Sequence, residues 1–136
     1  MIAVLDASAA VRTVMDADSP FRRQLETADL VIAPELIIAE VCSAFMKYVR
    51  ARVISRPQAE ESIEWALSLV DRMQPMRELA GDVLALTSRT ESSVYDLFYL
   101  ALAGRTGAIL LTADKALKRT ALNMGIGLPA IEGERA

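Results

Sequence analysis

Four of the chain's 18 acidic residues stand where a carboxylate can do chemistry. Asp6 directly follows the apolar run at residues 2–5, and Asp114 follows another at 108–111 through Thr112 and Ala113. In an open parallel sheet, ligands bind beyond the carboxyl ends of the strands, near the point where strand order reverses. Two acids at two such ends converge if their strands are neighbours. The competing reading is that each caps the helix that follows it. Asp96 is the lone charge among residues 94–104, and at helical spacing it shares a face with Tyr99, Leu100 and Ala103. An isolated buried carboxylate costs several kcal/mol unless a cation or donors meet it. The alternative for Asp96 is a capping box opened by Ser93. Glu40 heads a polar stripe, Ser43, Lys47 and Arg50, on an otherwise apolar helix. That stripe reads either as a solvated face or as a path from an acidic centre to phosphate-binding cations.

The chain has no histidine, which excludes Ser-His-Asp and Cys-His nucleophiles, His-ligated zinc and imidazole acid–base catalysis. Its single cysteine, Cys42, excludes an internal disulfide and a multi-cysteine zinc site. Oxygen ligands without His or Cys select Mg²⁺ or Mn²⁺. A carboxylate pocket holding one or two such ions is equipment for in-line phosphoryl chemistry, in which the metals activate water and neutralise the leaving oxygen. Ser8 and Thr112 each lie two residues from one of the acids. Their hydroxyls either support a carboxylate from behind or cap helix starts. Lys47, Arg50 and Lys115 are candidate contacts for the phosphates of a substrate, with Arg52, Lys118 and Arg119 beside them in sequence. Divalent cations would add about +2 to +4 of local charge to a chain whose net charge is −3.

These side chains need a scaffold, and 136 residues make one domain, at 1–131, with a frayed tail at 132–136. Hydrophobic residues make up 53%, enough for a real core. The longest apolar stretches fall short of the ~20 residues that a membrane span needs. With Asp6 where a signal peptide would be apolar, the chain is expected to be soluble and cytoplasmic. Strands are expected at 2–5, 30–33, 108–111 and 128–131, with a short extended piece near 73–76. Helices are expected at 7–15, 20–27, 35–51, 57–71, 78–90, 93–105 and 114–123. Apolar strands alternating with helices give an α/β fold with a parallel sheet. The helix at 35–51 is apolar on most sides, so it is buried or forms a homodimer or partner surface, with Phe45 and Met46 as candidate contacts. Trp65 and the six methionines read as packing residues.

The opening strand with Asp6-Ala7-Ser8, the segment Pro34 to Glu40, the run Tyr95-Asp96-Leu97-Phe98-Tyr99-Leu100-Ala101-Leu102-Ala103, and Leu111-Thr112-Ala113-Asp114 together resemble a PIN domain. The nearest likeness is to the VapC-type toxins of toxin–antitoxin pairs, and it covers essentially the whole chain. The resemblance implies a parallel sheet of about five strands flanked by helices, and a metal-dependent endoribonuclease. It implies that Asp6, Glu40, Asp96 and Asp114 are the metal-binding acids, that Thr112 is the family's threonine, and that Ser8 is its small hydroxyl residue. It implies an RNA substrate, a small antitoxin that covers the groove, and a homodimer. Some relatives carry a further acid just after the position of Asp114. Here Lys115, Ala116, Leu117 and Lys118 follow, so one ion or two stays open.

Other classes are weighed against this. A haloacid-dehalogenase phosphatase wants a second Asp at position 8, where this chain has Ser8. A receiver domain wants an acidic pair near the first strand and a late strand-end lysine. A non-catalytic interaction module with a disused carboxylate cluster is the remaining alternative.

Overall fold

The structure, a computed structural model, describes residues 1–130. Each element has a local cause. β1 (Ile2–Leu5) buries Ala3, Val4 and Leu5, as a strand covered on both faces must. α1 (Ala7–Met15) opens on Asp6, whose side chain accepts from the Ala9 N–H. α2 (Pro20–Thr27) opens on Ser19 with proline at its first position. β2 (Leu30–Pro34) leads into α3 (Leu36–Arg50). α4 (Arg56–Ser68) begins with a full capping box between Ser55 and Gln58. It stops short of residue 71 because the Asp71 carboxylate accepts from the Val31 N–H, at 2.8 Å, and so starts β3 (Arg72–Gln74) beside β2. A single 3₁₀ turn (Met76–Leu79) precedes α5 (Ala80–Leu86). α6 (Val94–Thr106) ends at Gly107, whose φ of 69° lets its N–H return to the Ala103 carbonyl. β4 (Ile109–Leu111) and α7 (Lys115–Asn123) follow.

The four strands are parallel in the order β3-β2-β1-β4. Leu5 stands opposite Leu111, so the ends of β1 and β4 are level. Because side chains alternate across a strand, the core divides into two layers. Val4, Ile32 and Leu110 face α5, α6 and α7, while Ala3, Leu5, Val31, Ala33 and Leu111 face α1, α2, α3 and α4. The fold is thus a single α/β domain with helices on both faces of a parallel sheet.

Two expectations change. Among the described residues the sheet has four strands rather than five, since 128–130 form no strand. Ile131 and the tail at 132–136 lie outside the described residues. The Leu110 N–H does reach the Gly127 carbonyl at 2.9 Å. The returning bond of a parallel pair would come from the N–H two residues on, and that residue is Pro129, which has none. Second, Phe45 is fully buried in the core and cannot be a contact surface, whereas Met46 is exposed. Trp65 is also partly exposed, with the Arg22 guanidinium 5.1 Å from its ring centre, and Met15 is exposed like Met46.

Candidate active site

Strand order runs from β1 through β2 to β3 on one side and turns to β4 on the other, so the reversal falls between β1 and β4. That is where a ligand crevice opens in such sheets. Asp6 leaves the end of β1 there, and Asp114 follows the end of β4. The capping reading holds for both residues, which also stand at the ends of neighbouring strands. Asp6 caps α1, and Asp114 caps α7 by accepting from the N–H groups of Ala116 and Leu117.

Asp6 is buried, and its carboxylate is held from several sides. Oδ1 accepts from the Ser8 hydroxyl at 2.7 Å and from the Ala9 N–H at 2.9 Å. Oδ2 accepts from the Thr112 hydroxyl at 2.5 Å. The two hydroxyls lie 3.2 Å apart. Each also ties down the loop after β4, because Ser8 Oγ accepts from the Ala113 N–H and Thr112 Oγ1 from the Asp114 N–H. Ser8 and Thr112 therefore join the ends of β1 and β4 around one carboxylate. Burial still dominates, and it pushes the Asp6 carboxyl up to about 6 against these donors, with the Glu40 charge adding to the rise.

Asp96 lies in the first turn of α6. Ser93 accepts from the Asp96 N–H at 3.3 Å, but only this half of a capping box forms. Among the described residues the Asp96 carboxylate accepts no hydrogen bond and joins no ion pair, so capping does not consume it. Its pKa is raised, first by burial and then by the charges of Asp114 and Glu40. Glu40, on α3, accepts a 2.6 Å hydrogen bond from the Tyr99 hydroxyl of α6. Tyr99 is 2% exposed, and burial together with the Glu40 carboxylate pushes its phenol above the ordinary range, so it stays a donor. The four acids thus come from the β1–α1 junction, α3, α6 and the β4–α7 junction, and the charges of Glu40 and Asp114 are felt at Asp96 and that of Glu40 at Asp6.

Among the described residues no three Asp, Glu or Cys side chains are already gathered as a group able to hold a metal ion. The donor set nevertheless fits a hard divalent cation in kind. It is all oxygen, the Glu40 charge adds to the rise at Asp6 and at Asp96, and among the described residues no Lys or Arg pairs with any of the four. A groove of about 470 Å³ runs from Ser8, Glu40 and Ala113 between α1 and α3 to Arg12, Lys47 and Tyr48. Lys47 lies seven residues after Glu40, about 20° off its line along the helix, and faces the groove. Arg50 lies about 80° off that line and does not line the groove. Lys115 opens α7 as an exposed side chain next to Asp114 and does not line it either.

The sequence reading missed two residues. In the sequence Tyr99 reads only as an apolar-face neighbour of Asp96, although a phenol in the middle of an apolar helix already needs a polar partner. Arg12 carried no signal, since its place beside Lys47 depends on how α1 meets α3.

The chain matches the PIN-domain model over residues 3–123. It is 28% identical over 118 residues to Ribonuclease VapC3 of Pyrobaculum aerophilum, covering 84% of this chain and 90% of that one. Its fold is similar to a crystal structure of another P. aerophilum chain, at TM-score 0.66 and 22% identity, covering 88% of this chain and 84% of that one. It is also similar in fold to Mycobacterium tuberculosis VapC20, described as a sarcin–ricin-loop-cleaving toxin, at TM-score 0.61 and 18% identity, covering 86% of this chain and 93% of that one. The motif order, the sheet with its reversal at β1 and β4, and the match along nearly the whole chain agree: the protein belongs to the PIN-domain family.

Proposed function

We propose that the chain is a Mg²⁺- or Mn²⁺-dependent endoribonuclease, the toxin of a toxin–antitoxin pair. The observation that carries this reading is the uncompensated carboxylate set at the β1–β4 reversal, from which a groove bearing Arg12 and Lys47 leads away. Likeness to Ribonuclease VapC3 supports RNA as the substrate.

Asp6, Glu40, Asp96 and Asp114 would hold the ion. When bound, it supplies the acid chemistry that the chain lacks, allowing water to attack at neutral pH and offsetting phosphate charge. Ser8 and Thr112 hold the Asp6 carboxylate in one orientation by a hydrogen bond to each of its oxygens. Asp96, free of hydrogen bonds among the described residues, is the acid with most freedom to turn toward an ion or a water. Lys47 and Arg12 would receive the phosphates of the strand beside the cleaved bond, and Arg50 and Lys115 would act on RNA only beyond this groove. No described helix is long and apolar enough to cross a membrane. A cytoplasmic place, a small antitoxin covering the groove and a homodimer complete the proposal.

The test is incubation of the antitoxin-free protein with total RNA and Mn²⁺, beside EDTA and Asp96→Asn controls. Discrete fragments that require both the metal and Asp96 are expected, and Asp96→Asn should stay folded by circular dichroism. Fragments that persist in EDTA or with Asp96→Asn would refute the mechanism. An absence of fragments together with no Mn²⁺ shift in Tm would turn the reading to a non-catalytic interaction module.

A further inference from the structure

We propose that Tyr99 is a positioning residue for Glu40, its hydroxyl acting as a strut that fixes one carboxylate oxygen so that the other is presented to the groove. This rests on the metal-nuclease reading above. Three observations carry it. The Tyr99 hydroxyl donates to Glu40 Oε1 at 2.6 Å. The ring is 2% exposed, locked among the residues of α6 that face the sheet, so the donor has little freedom to move. Glu40 itself lines the groove with Ser8 and Ala113.

The chemistry explains why a tyrosine stands there. Phenylalanine would fill the same space in this apolar helix without carrying a hydroxyl into the core. A glutamate on an exposed stripe samples many rotamers, whereas one with an oxygen tied to a rigid donor samples few. Tyr99 lies one helical turn after Asp96, so the same helix that presents one acid also holds the acid of α3 in reach of it. The strut therefore sets the separation between acids that arrive from different elements.

Tyr99→Phe removes the hydroxyl and keeps the ring. Calorimetric titration of the full chain with Mn²⁺ should show the midpoint rising about tenfold, the size seen when a ligand loses its supporting hydrogen bond. In a Glu40→Gln background the same substitution should shift the Mn²⁺ midpoint less than twofold, because the residue it acts through has already lost its charge. A residue serving only to pack the core would lower Tm equally in both backgrounds and leave the Mn²⁺ midpoint in place, and that result would overturn the proposal. Should Tyr99→Phe not fold, Tyr99→Met makes the same comparison, since it also removes the hydroxyl while filling the apolar site and leaves Glu40 itself intact. A rise of similar size supports the strut, and an unchanged midpoint removes it. If the unsubstituted protein takes up no Mn²⁺, the metal-nuclease reading fails and the strut with it. Uptake by the parent with no change in the variants sinks the strut alone.

Discussion

At Asp6, burial outweighs three hydrogen bonds. The carboxyl is raised from 3.8 to about 6, so the folded chain keeps a proton there that the unfolded chain has already released. The sign follows directly. Asp6 contributes most stability below pH 4, and that contribution is lost as pH rises through about 6. Two units correspond to about 3 kcal/mol as an upper figure. In EDTA, Asp6→Asn should therefore gain on the parent by about 2–3 kcal/mol between pH 4 and pH 7.5, read as the difference between their urea-unfolding free energies. A difference that does not change with pH would show that Asp6 is not held in this strained state. The residue is thus placed against the interest of the fold, which is common where a carboxylate serves a ligand. Much of this was legible in the sequence, because an aspartate closing an apolar strand stands out at once. The Ser8 and Thr112 donors were legible only as types, since they reach Asp6 from 2 and 106 residues away.

Elements decide which acids serve two purposes. Asp114 is both the N-cap of α7 and a neighbour in charge of Asp96, and substitution can separate these roles. Asparagine keeps an oxygen for the Ala116 and Leu117 N–H groups, whereas alanine does not. Asp114→Ala should cost about 1 kcal/mol of unfolding free energy and Asp114→Asn only a few tenths. Both should lose the Mn²⁺-dependent rise in Tm, and equal stabilities would mean that the cap contributes nothing. Helix starts and stops were readable from proline, serine and glycine, as at Ser19-Pro20, Pro57 and Gly107. The last expected strand was not, because an apolar segment also needs a donor at the right register, and Pro129 removes it. The direction of α3 was half readable. Its stripe of Glu40, Ser43, Lys47 and Arg50 follows from the sequence, but only packing against α1 and α4 shows Phe45 inside and Met46 outside.

For the whole molecule, a net charge of −3 opposes RNA at long range, so the proposed binding would rest on a local cationic path. The groove between α1 and α3 supplies one through Arg12 and Lys47. With cleavage blocked by Asp96→Asn, Lys47→Gln should weaken binding of a labelled single-stranded RNA and lower the salt slope by about 1, while Arg50→Gln changes the slope by much less. Equal effects would place the RNA outside the groove. The sequence by itself determined the α/β class, most element positions, the absence of imidazole chemistry and which four acids are candidates. These follow from periodicity, capping and composition, which act over a few residues. Tertiary structure alone decided that β4 lies beside β1, which brings Ser8 and Thr112 onto one carboxylate. It also decided that Tyr99 meets Glu40 across 59 residues, and which cations line the groove. The physical reason is that strand order and helix packing are set by the joint burial of all the apolar faces. No local pattern records which distant faces will meet.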